Sequence, residues 1–238
     1  MGKQVEKRGG NVHDRLARSI GERILAGEFA PGTLLPNEAE WGRIYDVSRT
    51  AVREAIKTLT GKGLLLSRPK IGSRVEPRDR WSLLDRDVLL WHRSAIDRRS
   101  FAASTQEARR IIEPGIVELA AKKRSAEQLE ILVASLEAMR KAKSVPDLVA
   151  ADVGFHNALL QAANNALMMP FGILIEQALS SLFDYTTERN PKIGIAVKLH
   201  EDVVRAIAAQ DAKSARSAMI KLIDDTDGII AGTKSRSK

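Results

Sequence analysis

Residues 48–61 read SRTAVREAIKTLTG, and the reading of this stretch decides the fold of the first third of the chain. Ser48 is placed to cap a helix, its side-chain oxygen accepting from a backbone N–H that would otherwise lack a partner. Val52, Ile56 and Leu59 recur at helical spacing and mark a face for burial. Arg49, Arg53 and Lys57 recur every four residues on a different face. A helix divided in this way can bury one side and lay a basic ridge in a groove of DNA. A solvated amphipathic helix shows the same pattern, so the neighbouring segments have to decide between the two.

On the N-terminal side, NVHDRLARSIGERILA (11–26) carries Leu16, Ile20 and Ile24 at four-residue spacing, with Asn11 as the predicted cap. The turn GEFAPGTLLP (27–36) follows, punctuated by Gly27, Pro31, Gly32 and Pro36. Leu34 and Leu35 are expected to form a short strand. Asn37 is expected to cap a second helix, EAEWGRIYD (38–46), whose first turn holds Glu38 and Glu40. Two short helices joined by a tight turn make a helix-turn-helix. On the C-terminal side, LLLSRPKIGSRVEP (64–77) reads as a hairpin: a strand at Leu64–Leu66, a turn over Pro69, Lys70, Ile71 and Gly72, and a return strand from Arg74. Its tip, with Lys70 and Gly72, can approach a phosphate backbone or a minor groove. Residues 11–77 therefore read as a winged helix-turn-helix, with a disordered segment at 1–10 in front of it.

Charge supports this reading. The chain has 238 residues and a formal net charge of +8. Residues 1–80 hold 16 Lys/Arg and 10 Asp/Glu, whereas residues 81–238 hold 22 and 20. A basic third beside a near-neutral remainder points to a polyanion-binding module joined to a second domain. Without cysteine, disulfides and thiolate zinc sites are excluded, which fits a reducing compartment. MGKQVEKRGG (1–10) has no apolar stretch of the secretory kind. No apolar run approaches the roughly 20 residues of a membrane span. The expected location is the cytoplasm.

Beyond PRDR (77–80) the composition turns helical. Helices are predicted at 81–97, with Leu84, Val88 and Trp91 on one side, and at 101–123, where Pro114 introduces a kink or marks a later start. Ser125 and Gln128 resemble a capping box for a helix striped by Leu129, Leu132, Leu136 and Met139. Further helices are predicted at 146–163, 167–188, 192–209 and 212–231. No strand pattern follows residue 76. Residues 78–231 read as an all-α bundle, to which the resemblance given below assigns effector binding and dimerisation, with a disordered basic tail at 232–238. The fold class is mainly α.

Within this bundle, Asp152 and His156 stand four residues apart on one helical face, where they can offer one divalent cation a carboxylate oxygen and an imidazole nitrogen. A surface Asp–His pair, or a core histidine held by an aspartate, would look the same. His200 lies on a stretch whose Ala196, Leu199, Val203 and Ile207 mark an inward side. If the last two helices pair around Asp211, positions 200 and 222 lie level, each about 16 Å from the turn. Residue 222 is leucine.

Two resemblances bear on these patterns. Residues 11–76 resemble the winged-helix domain of GntR-family bacterial transcription regulators, through ILAGEFAPGTLLPNEAE (24–40), SRTAVREAIKTL (48–59) and GLLLSRPKIGSRV (63–75). The resemblance implies that Ser48, Arg49, Thr50 and Arg53 contact the operator, with Gly72 at the wing tip. Fatty-acid-responsive members carry a further DNA-contacting arginine at the position of Ala39, and that contact is absent here. Arg53 is the expected base reader, since arginine forms a bidentate pair with guanine O6 and N7. Arg49 is expected on base or phosphate.

Residues 81–231 resemble the FCD effector domain of the same family, through EARRIIE (107–113), DVGFH (152–156), QAANNAL (161–167) and LHEDVVRAIAAQDAKSARSAM (199–219). Metal-binding members present an aspartate and three histidines. Asp152, His156 and His200 match the first three, and Leu222 stands at the fourth, with Asp225 one turn further on. A divalent metal, Zn or similar, is the implied cofactor. Arg109 matches an arginine that faces the effector. An ion pair with Glu113 competes for it, and Arg110 competes for the role.

RDRWSLLDRDVLLW (78–91) is similar to the corresponding stretch of galactonate-responsive repressors of the family. The resemblance implies a homodimeric repressor released from double-stranded operator DNA by a small carboxylate such as an aldonate. Two alternatives stand beside it: a metal-responsive regulator, and a metal-dependent enzyme with an accessory DNA-binding domain.

Overall fold

Leu16, Ile20 and Ile24 do what their spacing predicts: in a computed structural model of the chain they are fully buried on one face of α1 (Val12–Leu25). The described residues are 11–68, 71–186 and 193–232, and of 182–186, 193–196 and 228–232 only the backbone is described. The expected disordered segments at 1–10 and 232–238 lie outside them, apart from Gly232, which ends a helix, and so does Lys70 at the hairpin tip. The chain divides into two compact units, Met1–Arg98 and Arg99–Lys238.

In the first unit, Asn11 precedes α1 in extended backbone but makes no side-chain cap bond, contrary to expectation. Its carbonyl accepts from Asp14 and Arg15 N–H instead. In α2 (Glu38–Tyr45) the cap is complete: Asn37 Oδ1 accepts from Ala39 and Glu40 N–H at 3.0 Å each, and Glu40 Oε2 accepts from Asn37 N–H at 2.8 Å. Asp46, left-handed at φ 53°, stops α2. Ser48 Oγ then accepts from Ala51 N–H at 3.2 Å and starts α3 (Arg49–Gly61). Trp41 and Tyr45 of α2 join Val52, Ile56 and Leu59 of α3 in the core built on α1.

The hairpin is β1 (Leu65–Arg68) against β2 (Gly72–Val75), antiparallel, with Leu65 opposite Val75 and Arg68 opposite Gly72. The expected strand at Leu34–Leu35 is reduced to a bridge between Leu34 and Arg74. Backbone bonds extend it: Gly32 N–H donates to Val75 O, Leu35 N–H to Ser73 O and Val75 N–H to Thr33 O.

The predicted helix at 81–97 is shorter. A 3₁₀ turn at Arg78–Arg80 and an irregular stretch lead into α4 (Arg86–Ala95), where Asp85 accepts from Asp87 and Val88 N–H. Leu84 precedes the helix and is exposed. By composition this helix is expected in the second, helical domain. In the structure Trp81, Val88 and Trp91 lie in the core of the first unit. Gly21 of α1 makes this fit possible, because a Cβ there would come within 2.5 Å of the Trp91 ring. Lys62, at the end of α3, donates to Asp85 at 2.7 Å and lies 2.9 Å from Asp87, tying the start of α4 down.

The second unit begins with α5 (Arg98–Lys123), which runs through Pro114 without a break. Then come α6 (Ala126–Lys141), α7 (Val145–Ala162), a 3₁₀ turn at Ala166–Met168, α8 (Phe171–Thr186), α9 (Ile193–Ala208) and α10 (Ala212–Gly232). The Ser125–Gln128 capping box is present, and Leu132, Leu136 and Met139 are buried. The two asparagines of QAANNAL are structural. Asn164, at φ 46°, exchanges amide hydrogen bonds with Gln128 and donates to Lys123 O, while Asn165 accepts from Leu167 N–H. Together they pin the end of α7 to the turn between α5 and α6. No strand occurs in this unit among the described residues.

Gly63 gives a direct test of the first unit. It sits at φ 73°, and a Cβ there would lie 2.2 Å from the Arg80 carbonyl oxygen. Backbone cannot swing aside as a side chain can. Gly63→Ala is expected to destabilise the unit by at least about 2 kcal/mol, left-handed strain plus the clash. Thermal or urea unfolding checks it, and an unchanged midpoint would contradict the packing described.

Candidate functional site

Two groups of predicted residues come from the two units. In the first, Ser48, Arg49, Thr50, Arg53 and Lys57 are all exposed on α3, opposite the face that buries Val52, Ala55, Ile56 and Leu59. Arg49 has no ion pair among the described residues. Arg53 does have one: its Nε donates to Glu38 Oε1 at 3.2 Å and its Nη2 to Glu38 Oε2 at 3.1 Å. Nothing in the sequence marked Glu38 for this contact, beyond its place in the first turn of α2. Gly72 is exposed at φ 98°, a conformation that leaves the wing tip open only to glycine at low cost.

The second group is buried. Asp152 and His156 on α7 meet His200 on α9, and one ligand atom from each lies within 4.8 Å of the other two. Both imidazoles turn Nε2 to Asp152 Oδ1, at 3.4 Å from His156 and 3.0 Å from His200. Phe155 holds the rings in place, edge-on to His200 at 4.8 Å and to His156 at 5.6 Å. Leu222, at the position of an expected fourth ligand, is buried in the apolar core, and Asp225 does not join the donor cluster.

Arg109 is 1% exposed. Its Nε donates to Glu113 Oε1 at 2.6 Å and its Nη1 to Gln106 Oε1 at 3.0 Å. The sequence leaves Arg109 a choice between an intrahelical ion pair with Glu113 and an effector contact. The ion pair forms, but in a dry interior rather than on a surface. Arg110 turns the other way and pairs with Asp224, at 2.6 Å, and Asp227 of α10.

Sequence reasoning named Glu113 only as a partner for Arg109 and missed its contact with His156. The other oxygen of Glu113, Oε2, lies 2.9 Å from His156 Nδ1. That is an ion-pair distance, although the two groups are not aligned as a hydrogen bond. Glu113 thus stands between Arg109 and His156, and through His156 the contact reaches Asp152 and His200.

The electrostatics follow from this proximity. Burial pushes the Glu113 carboxyl up, but Arg109 and His156 outweigh it and hold the group at about 2. Burial pushes His156 down, but Glu113 and Asp152 lift it to about 9. Burial also raises Asp152, and the two histidines bring it well below the usual carboxylate range. Chemically, a carboxylate and two imidazoles form a donor set suited to a divalent cation of the zinc kind. His156 Nε2 is buried without an aligned hydrogen-bond partner, as a nitrogen reserved for a ligand would be.

Comparison with known proteins adds the following. Residues 13–75 match the family described as bacterial regulatory proteins, gntR family, and residues 105–225 match the FCD domain. The chain is 34% identical over 220 residues to the uncharacterized HTH-type transcriptional regulator YieP of Escherichia coli, covering 91% of this chain and 94% of that one. It is 30% identical over 218 residues to the galactonate operon transcriptional repressor of Escherichia coli, covering 90% and 94%. Among solved structures, Lar of Listeria monocytogenes has a TM-score of 0.65 at 17% identity, over 95% of this chain and 99% of that one, a likeness of fold alone.

The shared carboxylate makes a measurable demand on stability. Glu113→Ala would leave Arg109 buried without its counter-charge and His156 with Asp152 alone. The expected loss is about 3–5 kcal/mol, the cost of breaking a buried pair from one side. Urea unfolding of the full chain checks it. A change below 1 kcal/mol, roughly the surface-pair range, would mean that the pair is not the buried one described.

Proposed function

We propose an effector for a chain that belongs to the GntR family of bacterial transcription regulators and carries an FCD domain: a sugar acid of the aldonate class, bound beside Arg109. The chain is a DNA-binding transcription regulator, and its matched domains and named relatives are those of regulators rather than enzymes. The observation that carries the effector reading is the state of the buried donors. Arg109 spends Nε and Nη1 on Glu113 and Gln106, and its Nη2 is bonded to no described group. Gln106 Nε2 is buried without a partner. A guanidinium edge and an amide N–H suit a carboxylate flanked by hydroxyls. The likeness to the galactonate operon repressor supports the same class.

Asp152, His156 and His200 would hold a divalent cation, with the Glu113 carboxylate beside His156 Nδ1 favouring a proton on that nitrogen so that Nε2 is free to ligate. When bound, the cation supplies a Lewis-acidic point for a carboxylate and its neighbouring hydroxyl. Leu222 offers no donor, which leaves the shell to be completed by oxygen from water or effector.

In this reading Ser48, Arg49, Thr50 and Arg53 contact operator DNA, with Lys70 and Gly72 at the wing, and two copies of the chain read two half-sites. The protein works in the cytoplasm as a repressor. An effector can release it only by binding the DNA-free arrangement more tightly.

Fluorescence anisotropy on DNA from upstream of its own and neighbouring genes tests the reading. D-galactonate or a related aldonate is expected to weaken specific binding by about tenfold or more, the effect of roughly 1.4 kcal/mol of coupling. No response to any aldonate overturns it, and a response to Zn²⁺ alone would favour the ion itself as signal. His200→Ala is expected to lower bound metal, measured by elemental analysis, and to blunt the aldonate response while ligand-free DNA binding persists. Full metal content in that variant would remove His200 from the site.

A further inference from the structure

We infer that Glu38 is a positioning residue for base reading: its carboxylate holds the Arg53 guanidinium by one edge and presents the other edge to guanine. The inference rests on the reading of α3 as the DNA-contacting helix and of Arg53 as its base reader.

A guanidinium has two forked edges. Nε–H with one Nη2–H forms the side edge, and Nη1–H with the other Nη2–H forms the end edge. Glu38 occupies the side edge, with Nε and Nη2 donating to its two oxygens at 3.2 and 3.1 Å. The end edge is left open, and such a fork of two parallel N–H donors can match guanine O6 and N7. Arg53 is 70% exposed, so that edge faces solvent rather than protein.

The carboxylate itself is anchored. Glu38 opens α2, whose N-terminus is fixed by the reciprocal Asn37–Glu40 box. An anion in a first helical turn is also favoured by the helix dipole. Glu38 and Arg53 therefore span the two helices of the helix-turn-helix, 15 residues apart in sequence.

An exposed pair of this kind adds little to folding stability. Its effect lies elsewhere. A free arginine side chain loses much rotamer freedom when it docks on a base, and ordering it beforehand lowers that cost. A carboxylate near a phosphate backbone also repels DNA in general, so Glu38 trades general affinity for discrimination at one base pair.

The test uses the full chain and a randomised double-stranded DNA library, with bound sequences read for the natural protein, Glu38→Gln, Arg53→Ala and the double variant. Arg53→Ala is expected to lose the preference for guanine at one position of each half-site by about 5- to 150-fold, the range for a bidentate contact. Glu38→Gln is expected to relax that same position by about three- to tenfold, with nonspecific binding unchanged or tighter. The double variant is expected to match Arg53→Ala, because Glu38 acts only through Arg53. If Glu38→Gln keeps the preference, relaxes a different position, or sharpens it as release of a competing latch would, the inference is overturned while Arg53 keeps its role. If Arg53→Ala leaves every preference intact, the base-reading assignment falls first and the inference with it.

Discussion

One carboxylate, that of Glu113, is shared by the Arg109 guanidinium and the His156 imidazole, and the polar interior of the second unit depends on that sharing. Removing an ion from water costs several kcal/mol or more, repaid only by close partners. Arg109 and His156 supply two positive charges, Glu113 and Asp152 two negative ones, and the set sums to zero with His156 protonated. An anion entering alone would leave an uncompensated charge in a dry interior. A carboxylate and a divalent cation entering together keep the sum at zero once His156 gives up one proton, as ligation through its Nε2 requires, which is why the proposed reading pairs the two.

Much of the first unit was legible because its signals are local. The Asn37–Glu40 box, the Ser48 cap, the glycines of the turns and the apolar spacing of α1 and α3 each specify structure within a few residues. What failed there were one local cap and a contact made across the chain. Asn11 has the right residue type for a cap, yet its side chain makes no cap bond. The docking of α4 depends on Trp91 meeting a glycine on α1, 70 positions earlier, and no local pattern announces that.

The polar cluster divides in the same way. Asp152 and His156 were found by their four-residue spacing, and His200 by the inward stripe around it. Glu113 was visible only as a neighbour of Arg109 on its own helix. Its contact with His156 joins α5 to α7 across 43 residues, which periodicity cannot reach. Residue spacing could not separate Arg109 from Arg110, which the resemblance put in that order, for a related reason. Adjacent residues on a helix point about 100° apart, and only packing decides that one goes to the core and the other to Asp224 and Asp227.

The two arginine–glutamate pairs show how burial changes what one chemical contact does. Arg109 and Glu113, 2.6 Å apart and almost without solvent, cannot be separated cheaply, so any ligand that engages Arg109 must work with the pair as it stands. Arg53 and Glu38 meet in water, where the same charges attract weakly and solvent competes for every hydrogen bond. Such a pair cannot hold two helices together, but it can bias where a guanidinium points at small cost. In the proposed reading the buried pair belongs to the architecture of the effector domain and the exposed pair to recognition, because only a contact that contributes little to the fold is free to be remade when DNA arrives.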